Sequence, residues 1–182
     1  MKKLILLFVV LPLLTSPLAA VADELDTPAV PKPGELIVEV NGVVCSICAK
    51  GLKKNLAKLD FQSPVLSERS GVKIDIRSGR LVMHRDPKKP IDFDGVLTAV
   101  KKGGFELDKL YTHLTGTLES VDGKWWLTEK AGPNKFGLAN APNGVAKGNT
   151  VTARVMITAK TLAKAKPGAV VEVEVDEIAT AR

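Results

Sequence analysis

Between Leu36 and Leu110 the apolar residues recur at every second position, then at helical spacing, then twice more at every second position. Helical spacing follows, and then alternation again. That order of periods restricts the chain more than any other property. The first alternation is "ELIVEVNG", with Leu36, Val38 and Val40 on one face, which predicts a strand. From Ser46 to Leu59 the residues Cys48, Leu52, Leu56 and Leu59 share one side, with Lys50, Lys53, Lys54 and Lys58 elsewhere, which predicts an amphipathic helix. "GVKIDIRSGRLVMHRD" reads as two strands around a Ser78-Gly79 turn, and a two-residue loop sets Ile76 opposite Leu81 and Ile74 opposite Met83. Met83 then faces the core and His84 faces away. Phe93, Val96, Leu97 and Val100 follow Asp92, a candidate N-cap, and predict a second helix ended by Gly103 and Gly104. Phe105, Leu107 and Leu110 mark a last strand.

Strand, helix, strand, strand, helix, strand is the order of the split βαβ, ferredoxin-like fold, and residues 36–113 are expected to form such a domain. Beyond Leu114 no long helical pattern appears. Strands are suggested at Thr115–Val121, Lys124–Glu129, Lys135–Ala139, Thr150–Thr158 and Val170–Ile178, with turns at Asp122-Gly123, Asn143-Gly144 and Pro167-Gly168. Residues 114–182 resemble the small OB-like barrels of exported bacterial proteins, so the expected class is α+β: a ferredoxin-like βαββαβ domain followed by a small all-β barrel domain. Trp125 and Trp126 fall on opposite faces of one strand, one to fill the barrel and one for a contact surface.

The only two cysteines, Cys45 and Cys48, stand in "GVVCSICA" where the first strand gives way to the first helix. Unpaired N–H groups and the positive end of the helix dipole favour thiolates there. Two thiolates at this spacing suit a soft ion that accepts linear two-coordination, Cu(I) or Hg(II). Zn(II) fits less well, because it prefers four ligands and no carboxylate or histidine adjoins the pair. The same C-x-x-C also serves thiol–disulfide exchange, and a plain structural disulfide is a third reading, though so short a loop restrains the unfolded chain little.

The motif in this strand and helix order resembles the heavy-metal-associated domain of copper chaperones, metal-pumping ATPases and periplasmic mercuric-ion binding proteins. Gly42, Cys45 and Cys48 match the family's metal loop, and Gly104 and Phe105 match the glycine and aromatic ahead of its last strand. Val43 and Val44 replace the usual Met and Thr or His. The resemblance implies that Val43 plugs the loop from below, that Lys101 and Lys102 lie where the second helix approaches it, and that Cys45 and Cys48 are the metal ligands. It also implies an acceptor, either a membrane metal transporter or a periplasmic protein.

Lys2 and Lys3, the apolar run Leu4–Leu14 and the Ala20/Ala22 pair predict a secretory signal peptide over residues 1–22, followed by a Pro-rich linker over 23–35. The run is too short to span a bilayer, which takes about 20 apolar residues. The expected destination is the periplasm or the exterior. Losing Lys2 and Lys3 lowers the formal charge from +6 to +4, a mild excess that gives no reason to expect nucleic acid as a partner. His84 and His113 belong to no catalytic motif, and His113 reads as a linker side chain between the domains. The sequence therefore predicts a metal-binding protein rather than an enzyme.

Overall fold

The computed structural model describes residues 29–43, 45–63, 71–140, 142–164 and 170–181. The leader, the linker up to residue 28 and the Pro167-Gly168 turn lie outside the described residues.

Strand β1 (Glu35–Asn41) leads to helix α1 (Ser46–Leu56), then β2 (Val72–Asp75), β3 (Arg80–His84) and helix α2 (Phe93–Lys102). The chain continues through β4 (Glu106–Val121), β5 (Lys124–Glu129), β6 (Lys135–Leu138), β7 (Thr150–Thr158), the short helix α3 (Ala159–Lys164) and β8 (Val171–Thr180). Asp92 caps α2, its carboxylate accepting the Gly95 N–H at 2.8 Å. Asp122 and Gly123 both adopt positive φ, as a primed hairpin turn requires, and Val121 pairs with Lys124.

The β2–β3 hairpin keeps its expected faces but not its expected register. Ile74 pairs with Leu81 and Val72 with Met83, so residues 76–79 form the turn. Asp75 closes it by accepting the Arg77 N–H at 3.0 Å and the Ser78 hydroxyl at 2.8 Å, contacts that hold its carboxyl below the usual aspartate range. Gly79, at φ +66, presses on β1: the Val40 N–H donates to its carbonyl at 3.0 Å, and a Cβ at Gly79 would collide with the Val40 carbonyl. A slip of two residues preserves the pleat, so Met83 is fully buried while His84 stays half-exposed, 3.9 Å from the Glu35 carboxylate.

The expected architecture, a ferredoxin-like βαββαβ domain followed by a separate small β-barrel, is overturned. Among the described residues, all eight strands form one sheet in the order β2-β3-β1-β4-β5-β6-β8-β7, and β4 also pairs with β7. Every pairing is antiparallel except β6 with β8. β4 is the reason. It is a single 16-residue strand that runs through the boundary drawn at 113/114. Leu110, Thr112, Leu114, Gly116 and Leu118 are all buried, so alternation continues where the surrounding composition changes. One edge of β4 carries β1 up to Thr112 and β5 from Gly116, while β7 follows the other edge from Lys109 to Thr117. At Gly116 a Cβ would strike the Thr128 carbonyl, so only glycine lets β5 approach there.

The main apolar core runs the length of the sheet, and a smaller cluster of Ala29, Ile37 and Tyr111 lies apart from it. The main core extends from Leu36 and Val38 through Leu52, Leu56 and Val96 to Leu118, Leu127, Phe136 and Val173. Phe93 of α2 meets Phe136 of β6 edge to face, with centroids 5.8 Å apart. Two buried ionisable side chains, Arg85 and Glu129, lie beside the middle of β4. The Arg85 guanidinium donates to the His113 carbonyl at 2.6 Å, and Glu129 accepts from the Asn134 amide at 2.7 Å. Arg85 is 8% and Glu129 4% exposed. Burial pushes the Glu129 carboxyl up, against the pull of Asn134 and Arg85.

Candidate functional site

The cysteines sit where β1 hands over to α1. Gly42, at φ +88, turns the chain out of the sheet, and Val43 drops into the core. Phe105, just before β4, lies against Gly42, 4.0 Å from where its Cβ would be, and Gly103 packs near both Phe105 and Leu52 of α1. The thiol loop thus rests on the turn that ends α2. The Asn55 amide ties the two helices by donating to the Ala99 carbonyl at 3.3 Å.

Cys45 is the N-cap of α1. Its backbone is extended, its Sγ accepts the Cys48 N–H at 3.1 Å, and its carbonyl accepts the Ala49 N–H at 3.1 Å. Cys48 occupies the first turn. The buried face of α1 is Ala49, Leu52 and Leu56, so Cys48 points outward and is exposed, whereas Cys45 is half-buried. Grouping Cys48 with Leu52 and Leu56 in the sequence misplaces it by one helical position, because Ala49 fills the place next to the core. Ile47 beside it is 82% exposed.

The two sulfurs are joined as a disulfide, with the Cα atoms 5.4 Å apart. Reduction would give two thiols in the first turn of a helix whose first turn holds no acidic side chain. Among the described residues no third His, Cys, Asp or Glu joins the pair as a possible ligand. The chemistry open to the site is therefore reversible oxidation, or two-sulfur binding of an ion content with two ligands.

The histidines lie apart from this loop in the sheet. His84 is on β3 near Glu35. His113 is not in a linker but inside β4, opposite Arg154, with a buried Nδ1 that has no hydrogen-bond partner among the described residues. Burial first, then the nearby Arg154, pushes its pKa down, against the pull of Glu177. Sequence reasoning did not find Arg85 or Glu129, since nothing in their local spacing signals that residues 44 apart line one buried spot. No described helix is long and apolar enough to cross a membrane. No protein-family model, no curated protein and no solved structure matches the chain.

Proposed function

We propose that this is an exported protein whose reduced Cys45–Cys48 pair binds one soft heavy-metal ion, Cu(I) or Hg(II), for buffering, delivery to an acceptor, or sensing. The observation that carries the reading is Cys45 as N-cap of α1, with Cys48 exposed in the first turn and, among the described residues, no third ligand in reach. Two sulfurs at a helix start satisfy a linear soft ion and leave Zn(II) short of ligands. Loading requires that a thiol reductant first take up the disulfide, returning two electrons and two protons to the sulfurs. The ion then displaces the thiol protons. The resemblance to heavy-metal-associated domains supports this reading through Gly42, Cys45, Cys48, Gly104 and Phe105.

The test is titration of the reduced mature chain, under anaerobic conditions, against a competing chelator. One Cu(I) or Hg(II) per chain is expected, and Cys45→Ser or Cys48→Ser should abolish tight binding. Undiminished stoichiometry in the double serine variant would refute the assignment. A second reading, thiol–disulfide exchange, is favoured by the disulfide itself and by the outward position of Cys48. Turnover in insulin reduction, without chelator-resistant metal binding, would select it.

A further inference from the structure

β4, β5, β6, β8 and β7 form a closed circuit of pairings, and α3 packs against its β4, β7 and β8 members. On the β5–β6 side of α3 lies a cavity of about 690 Å³, within the usual range of small-molecule sites, roughly 300–1,000 Å³. Its lining includes Trp125 and Trp126 at the start of β5, Lys124 beside them, Lys160 and Lys164 of α3, and Glu172 of β8.

Both indoles are half-buried. Trp125 packs partly on the core, while Trp126 pairs across the sheet with Gly137. A Cβ at Gly137 would come within 3.2 Å of the Trp126 ring, so the glycine leaves the ring room to lie over the strand. The apolar Val170, 41% exposed, continues the same wall. Lys124, Lys160 and Lys164 are exposed, and among the described residues none makes an ion pair or a side-chain hydrogen bond. Three unengaged ammonium groups against one carboxylate give the cavity a positive field beside its ring faces.

We propose that this cavity binds a small organic anion with a flat apolar body, such as an aromatic carboxylate. The body lies against one indole, where stacking is favourable edge-on or offset, and the acid group faces the lysines; Lys135, whose Nζ lies 5.7 Å from the Trp126 ring centroid, adds to the positive field. Lysine ammoniums suit an anion of any shape, so the ring faces rather than the cations select the flat body. A membrane surface would meet a protruding face, whereas these side chains line a hollow.

The proposal is tested on the full mature chain by calorimetric titration with 2-naphthoate, with 2-naphthylmethylammonium as the matched cation and phosphatidylglycerol vesicles as the matched surface. The expected result is saturable binding of one naphthoate per chain, at least tenfold weaker for the cation and weaker at high salt. Lys160→Glu with Lys164→Glu should weaken it at least tenfold, as should Trp126→Ala. The lysine changes are on the surface and leave the fold intact, so they decide the matter if the tryptophan variant does not fold. Cys45→Ser with Cys48→Ser should leave naphthoate binding unchanged, which separates this site from the dithiol. Equal binding of cation and anion, insensitivity to the lysine changes, no saturable naphthoate binding, or binding of vesicles alone would each overturn it.

Discussion

At the residue scale, Glu129 is the side chain whose environment differs most from its expectation as a strand-end carboxylate. Burial favours its neutral form, and the Asn134 amide and Arg85 only partly oppose this. Its carboxyl value is raised in the folded state, so its contribution to stability is fully present below about pH 4, the ordinary glutamate range. That contribution is lost as the pH rises through the raised value. Glu129→Gln imitates the neutral form and keeps an oxygen for Asn134. It is expected to be at least as stable as the parent at pH 7 and to flatten the change in urea midpoint between pH 4 and 7. A loss of more than about 1 kcal/mol at pH 7 would mean that attraction to Arg85 outweighs desolvation. Asp75 has the opposite sign, since its turn contacts stabilise the ionised form and are lost on acidification.

Among the elements, β4 decides the architecture. Its two halves lean on different neighbours, β1 and then β5, but share β7 on the far edge. Cutting the chain at 114 would divide the β4–β7 pairing, separating Lys109–His113 from their β7 partners, and would open the fully buried packing around Leu114. Fragments ending at Thr115 or starting at Leu114 are therefore expected to lack a cooperative thermal transition, whereas the intact chain has one. Two independently folding fragments, seen by circular dichroism, would contradict this. The sequence revealed most of the strands because each has its own alternation and turn residues: β5 and β7 occupy the expected residues, and Asp122-Gly123 makes the expected hairpin. The fusion at β4 was legible too, in the alternation from Leu110 to Leu118, but the change of composition after Leu114 concealed it. α3 was not legible, because six residues carry too little period. The register of β2–β3 was hidden in the Asp75 side chain, whose contacts to Arg77 and Ser78 depend on conformation rather than spacing. The candidate site was legible as a pair at a helix start. Which sulfur faces water was not, because the buried stripe of α1 runs through Ala49, Leu52 and Leu56, and at Cys48 a shift of one residue in helical phase decides between core and solvent.

For the molecule as a whole, one sheet and a main apolar core that spans it imply one cooperative unit. Amide hydrogen exchange should report it. The slowest amides are expected along β4 from Lys109 to Thr117, where β7 holds one edge, with no step in protection at 113/114. A sharp drop at that position would divide the molecule after all. Because β4 is unbroken, it also works as a ruler. The cysteine loop is set beyond the Glu106 end of the strand, where β1 hands over to α1, and the indole cavity lies by the Val121 end, across the hairpin. The 16 residues between these ends span at most roughly 50 Å, the length of a straight extended backbone. The strand bends at one place, the bulge where Glu39 pairs with Lys109 and Val40 with Leu107, and is otherwise continuous between its ends. A partner that engaged both would have to reach along the strand from one end to the other, and one that engaged a single end would leave the other free.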